Sequence, residues 1–169
     1  MLGSIRQHLD TVKTPEDLNA QFVQFEAGID EFMETTGLEY RLDQDIYAPE
    51  DGLDAKFHAT NINKHRHRIA RFLSIAKAAF HFSKGFSIAY KLTPDEIHTD
   101  DGKTKTKKIY KLTRESRESF KHELSAPWEG LVSYLEETLK TIDSHVNMAK
   151  KILDESPDRA GRSTLGQYQ

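Results

Sequence analysis

From Trp128 to Ile152 an apolar residue returns every three or four positions: Trp128, Leu131, Leu135, Leu139, Ile142, Val146, Ala149 and Ile152. Three to four heptads suffice for a coiled coil or one helix of a bundle. A helix of that length finds few residues in its own chain to bury against. The seam therefore predicts a self-associating chain, a homo-oligomer joined through Trp128, Leu131, Leu135, Leu139, Ile142 and Val146. Residues 114–156 form this C-terminal helix, with Ala126-Pro127 restarting or kinking it. Ser156-Pro157 ends it, and the polar residues 157–169 read as a disordered tail.

A chain of 169 residues fits one domain. Its hydrophobic fraction of 37% against a charged fraction of 30% suits long amphipathic helices better than a thick globule. The absence of cysteine removes disulfides, thiolate metal sites and a Cys nucleophile from consideration. No apolar run approaches the roughly 18 residues of a membrane span, and the opening residues lack a signal-peptide core. The expectation is a soluble, cytoplasmic protein with no membrane partner.

The overall charge of −3 conceals a segregation. Residues 1–54 hold 3 basic and 13 acidic groups, residues 55–114 hold 14 and 4, and residues 115–169 hold 7 and 10. Asymmetry of this size points to a polyanionic partner, or to like chains docking an acidic face on a basic one.

The acidic opening, 1–37, reads as two amphipathic helices. Leu2, Ile5, Leu9 and Val12 make the first stripe. Thr14-Pro15-Glu16-Asp17 supplies a cap, a proline suited to the first helical position and acids suited to the N-terminal dipole. Leu18, Phe22, Phe25, Ile29 and Phe32 then form one apolar seam that Gly37 ends. Between 38 and 54 the periodicity fails, and Asp43, Asp45, Glu50, Asp51 and Asp54 with Pro49 and Gly52 read as an acidic loop. Its spacing does not meet the calcium-binding loop pattern.

The stretch from Lys56 to Lys91 carries eight Lys or Arg, four His and no acid. A basic helix over 55–84 accounts for most of it, with Ile62, Ile69, Phe72, Leu73, Ala76, Ala79 and Phe80 on the apolar face. Positive charge holds a polyanion by releasing counterions, and aromatic faces stack on unpaired bases. Lys64, Arg66, Arg68, Arg71, Lys77 and Lys84 are the candidate phosphate contacts. Phe82 and Phe86, beside Gly85 where the helix should stop, are the candidate stacking rings. The same composition also describes a solvated basic helix whose Phe residues are simply core.

Residues 85–113 read as a basic β-hairpin arm. Phe86–Thr93 and Lys107–Thr113 alternate as strands, Tyr-Lys-Leu-Thr occurs at both 90–93 and 110–113, and Asp100-Asp101-Gly102 is a turn signal. Lys103, Lys105, Lys107 and Lys108 on the return strand would grip phosphates. Pro94 argues against pairing throughout, and an exposed charged loop fits as well.

No enzyme signature stands up. Phe57-His58-Ala59-Thr60 offers one His-x-Thr element, but two-histidine phosphoester chemistry needs a second on a facing strand. Neither His98-Thr99-Asp100 nor His145-Val146-Asn147 supplies it. His65-Arg66-His67 has the spacing of a strand-borne metal pair, with arginines opposing a cation. There is no phosphate-binding glycine loop, no His-Glu-x-x-His and no serine triad. No cofactor or metal is expected.

The order of parts resembles the UvsY family of phage recombination mediators. The resemblance runs over about residues 53–153, from Leu53-Asp54-Ala55-Lys56-Phe57 through the basic helix and Lys-rich stretch to Met148-Ala149-Lys150-Lys151-Ile152. It implies a small, non-catalytic, ring-forming oligomer in the host cytoplasm. Such a protein binds single-stranded DNA and helps a RecA-like recombinase replace the single-strand-binding protein. The reading is a mainly α, self-associating protein with a basic hairpin arm that binds single-stranded DNA or RNA without catalysis. Its rival is a structural or adaptor subunit of a phage or other helical assembly, the basic middle docking on a neighbour's acidic helix.

Overall fold

A computed structural model describes residues 9–43, 52–89 and 114–155. Of these residues 94% are helical, and no strand occurs among them. Helix α1 is Pro15–Thr36, α2 is the short Leu38–Leu42, α3 is Gly52–Ala89 and α4 is Arg114–Glu155.

Helix α1 begins as its sequence dictates. Thr14 Oγ1 accepts the Asp17 N–H at 3.1 Å, and Asp17 Oδ2 accepts the N–H groups of Lys13 and Thr14, each at 3.0 Å. This capping box satisfies donors that a helix start leaves open. The bonds from Lys13 and Thr14 hold the Asp17 carboxyl below its ordinary range. At the other end Gly37 takes the left-handed conformation, φ 58°, and its N–H returns to the Glu34 carbonyl at 3.0 Å. The chain turns there directly into α2, which buries Leu38 completely.

Helices α3 and α4 are about 57 and 63 Å long, at 1.5 Å per residue. They run antiparallel, because their cross-contacts descend on one as they climb on the other. His58 meets His145, Arg66 meets Asp143 and Lys77 meets Glu136. Small side chains line much of the seam: Ala55, Ala76, Ala79 and Ser83 on α3, Ser125 and Ala149 on α4, all buried. Two buried hydroxyls bond within their own helices, Ser83 to the Phe80 carbonyl at 2.8 Å and Thr138 to the Tyr134 carbonyl at 2.9 Å. No buried side-chain polar atom lacks a partner among the described residues.

Helix α1 lies against this pair through an aromatic ladder that alternates between helices. Trp128 of α4 sits edge-on to Phe22 at 5.2 Å and stacked on Phe25 at 5.9 Å. Phe25 and Phe32 in turn meet Phe72 of α3 edge-on at 6.1 and 5.4 Å, and Phe32 meets His65 at 5.6 Å. The contacts set α1 parallel to α4 and antiparallel to α3. Edge-to-face and offset pairs add about 0.5–1.5 kcal/mol each beyond area burial. The expected α1 seam is the one that packs: Leu18, Phe25 and Ile29 are buried, and Phe22 and Phe32 lie against the core.

Several expectations are corrected. The C-terminal seam is turned into the chain's own core, with Trp128, Leu131, Leu135 and Ile142 buried and Leu139 and Val146 packed against them. Helix α3 supplies the partner surface that the sequence was expected to lack, and the seam is buried against it within the one chain. Helix α4 does not restart at Pro127. The turn it interrupts is exposed, so water can take the Glu123 carbonyl that proline leaves free.

Gly85 does not stop α3, which continues to Ala89. Glycine inside a helix costs about 1 kcal/mol relative to alanine, and the packing of Phe82, Ser83 and Phe86 around it offsets that. The first residues of the expected hairpin arm, 85–89, are therefore helical, and 90–113 lie outside the described residues. So do most of the first amphipathic stripe and the tail. The acidic loop is partly helical, as α2 at one end and the first turn of α3 at the other.

Candidate nucleic-acid interface

Helix α3 holds seven Lys or Arg from residue 55 onward and no acid, while α1 holds six acids and no Lys or Arg. Folding packs the basic helix along the net-acidic α4, with the acidic α1 lying against both. Two of its cations, Arg66 and Lys77, meet carboxylates of α4 within the one chain.

The candidate cations divide accordingly. Arg66 Nε lies 2.7 Å from Asp143 Oδ1 and its second arm 3.2 Å from Oδ2, a forked pair. That bond, ahead of simple attraction, raises the Arg66 pKa and holds Asp143 below its ordinary range. Lys77 Nζ sits 2.7 Å from Glu136 Oε1 and lowers the Glu136 pKa in the same way. Arg68 lies over the rings of Phe72 at 5.3 Å and Phe32 at 6.0 Å. Lys84 sits 3.8 Å above Phe80. These four are committed to the chain's own carboxylates and rings. Phosphate would have to compete for them.

Lys64 and Arg71 remain exposed, Lys64 making a 3.4 Å contact with Asn61 Oδ1 one turn back. With Thr60 and His67 they recur at positions 60, 64, 67 and 71, one outward stripe of the helix. Lys56 and Phe57 start that face. The Phe57 ring is 69% exposed, the most open phenylalanine described. Lys56 and Phe57 were absent from the expected site, although helical phase alone puts them away from Ile62 and Ile69. Phe82 and Phe86 do not present free faces. They stack on each other at 5.8 Å and pack against the core. Lys103, Lys105, Lys107 and Lys108 lie outside the described residues.

The histidines also take their places from helical geometry. His58 and Thr60 stand on a helix, where Thr60 Oγ1 donates to the Lys56 carbonyl at 2.8 Å. His65 and His67 diverge, His65 against Phe32 and His67 outward. Burial first, then the Lys64 and Arg41 charges, holds the His65 pKa below its ordinary value. Among the described residues no three His, Asp or Glu side chains are placed to hold a metal. None of the described helices is long and apolar enough to cross a membrane.

What the fold defines is a helical scaffold, a long antiparallel hairpin braced by a third helix, with one outward basic stripe. No protein-family model, no curated protein and no solved structure matches the chain.

Proposed function

We propose that the protein is a non-enzymatic binder of single-stranded nucleic acid, and that it binds through the outward face of α3 from Lys56 to Arg71. One observation carries this reading. On a face about 22 Å long, at 1.5 Å per residue, the exposed cations Lys56, Lys64 and Arg71 accompany an exposed aromatic ring, Phe57, with no acid from α3 among them. The cations would follow the phosphate backbone, and the ring would stack on an unpaired base, an interaction worth about 1–3 kcal/mol. The biological setting proposed with it is recombination mediation, loading a RecA-like recombinase against a single-strand-binding protein. The order of parts in the sequence is its support. An assembly of several copies belongs to the same reading. With the C-terminal seam occupied, exposed side chains such as Val23, Tyr40 and Ile88 would make its apolar contacts.

A structural or adaptor role is the second reading. The observation that favours it is the use of Arg66 and Lys77 to hold α4. Titration of a labelled single-stranded oligonucleotide, with a duplex of the same sequence as control, decides between the two. Wild-type protein should prefer the single strand, and Phe57→Ala should weaken that binding by about 1–3 kcal/mol without lowering the melting temperature. Absence of binding at low salt leaves the adaptor role.

A further inference from the structure

The two long helices meet a pair of histidines at the open end of their hairpin, the end away from the residues that join them. His58 Nε2 lies 3.4 Å from His145 Nδ1, and the two rings are within 27° of parallel. Their centroids are 5.6 Å apart, close to that gap plus the two ring radii, so the nitrogens point at each other. Such a face holds one hydrogen between two nitrogens. A second would set N–H against N–H and charge against charge.

The surroundings offer no relief. Helix α2 contributes Arg41, whose charge acts on both His58 and His65. Helix α4 contributes Asp143, which Arg66 already occupies. On α3 itself Lys64 adds positive charge near His65, and α1 offers that ring only Phe32. No carboxylate among the described residues bonds to either member of the pair.

We propose that the His58–His145 contact is an acid-sensitive latch. When both rings are neutral, one hydrogen is shared between them and the first turns of α3 close on the last turns of α4. When each ring carries its own proton, those turns part. Partial burial points the same way. It is the first cause holding the His58 pKa below 6.5, with Arg41 second, and the first for His145, with His58 second. The opened end takes protons that the closed end resists. Closure is therefore at full strength above the ordinary histidine value and is lost as pH falls below it toward the pKa of the closed pair. The two protons belong to the pair rather than to either ring. Asp143 and Glu136, with pKa values lowered by Arg66 and Lys77, stay charged through this window, so the middle of the hairpin holds. Lys56 and Phe57 ride on the turns that move, yet the latch stands on helix geometry and does not depend on nucleic-acid binding.

Amide hydrogen exchange on the full chain at about pH 7.5 and about pH 5.5, corrected for intrinsic rates, tests it. Residues 54–62 and 145–153 should exchange faster at the lower pH, by roughly tenfold for each pKa unit of depression in the closed pair. Residues 69–80 and 128–139 should not. His58→Gln and His145→Gln should each abolish the response, while His65→Gln should keep it. Imidazole titration by NMR gives a second readout, in which His58→Gln moves the His145 pKa up toward its ordinary value. The proposal is overturned if the open end exchanges no faster in acid, or if the response survives both glutamine variants. Should those variants fail to fold, the wild-type titration decides alone, and two rings titrating independently at the ordinary value overturn it.

Discussion

Arg66 on α3 grips Asp143 on α4 with both arms of its guanidinium, across 77 residues of sequence. The fork that fits a carboxylate is the fork that fits a phosphate. In the folded chain the carboxylate has it. Both side chains are about half exposed, so the pair does more to fix helix register than to raise stability. Arg66→Gln and Asp143→Asn should each lower the denaturant midpoint slightly, and the double variant should be no worse than the poorer single. Asp143→Asn should also tighten single-strand binding, because it frees a guanidinium and removes a negative charge. Weaker binding in that variant would contradict the assignment of Arg66 to the hairpin.

Trp128 is the rung that joins α1 to α4. Trp128→Ala should cost about 3–5 kcal/mol in unfolding free energy, the range for removing a large buried aromatic. Leu135→Asp or Ile142→Asp should reduce helix content in circular dichroism, since each would bury an unpaired charge inside the monomer. A variant that keeps full helicity while an assembly dissociates would show the seam facing a second copy instead.

The legible part of this fold was what local periodicity carries. The capping box at Thr14, the left-handed stop at Gly37 and the Leu18–Phe32 seam all follow from residue type and spacing, and all are present. What could not be read was which face meets which. A heptad seam looks the same whether its partner is another chain or an earlier helix of its own, so Trp128–Val146 suggested an oligomer. Charge on a helix likewise does not reveal its creditor. Arg66 and Lys77 read as phosphate contacts because Asp143 and Glu136 lie far away in sequence. Gly85 makes Phe82 and Phe86 look like free rings at a helix end, but it is a stop signal that packing overrides. The His58–His145 pair leaves no trace in sequence, since it exists only in one antiparallel register.

Among the described residues Gly37 alone has positive φ, and a Cβ there would meet nothing within 4 Å. The cost of Gly37→Ala is therefore backbone strain alone, about 1–2 kcal/mol. Gly37→Asn should cost less, because asparagine tolerates this conformation. Thermal melts of the two variants check the order. Equal stability of the alanine variant and wild type would mean that α1 and α2 are not joined by this turn.

Phe86→Ala and Phe57→Ala should separate stability from binding. The Phe86 ring packs on Phe82 and the core, so its loss should lower the melting temperature. Phe57 is exposed and its loss should not. If both variants melt like wild type, the C-terminal end of α3 is less firmly packed than its ring contacts indicate.

The most direct test of the central claim is the salt dependence of single-strand affinity. It compares wild type with Lys56→Ala/Lys64→Ala/Arg71→Ala and with Arg66→Gln/Lys77→Gln. Each phosphate contact contributes about 0.7 to the slope of log affinity against log salt, so losing the outward trio should flatten it by about 2. The second variant, stripped of cations that serve the hairpin, should keep nearly the wild-type slope. An unchanged slope in the trio variant, or an equal loss in both, would contradict an interface on the outward face of α3.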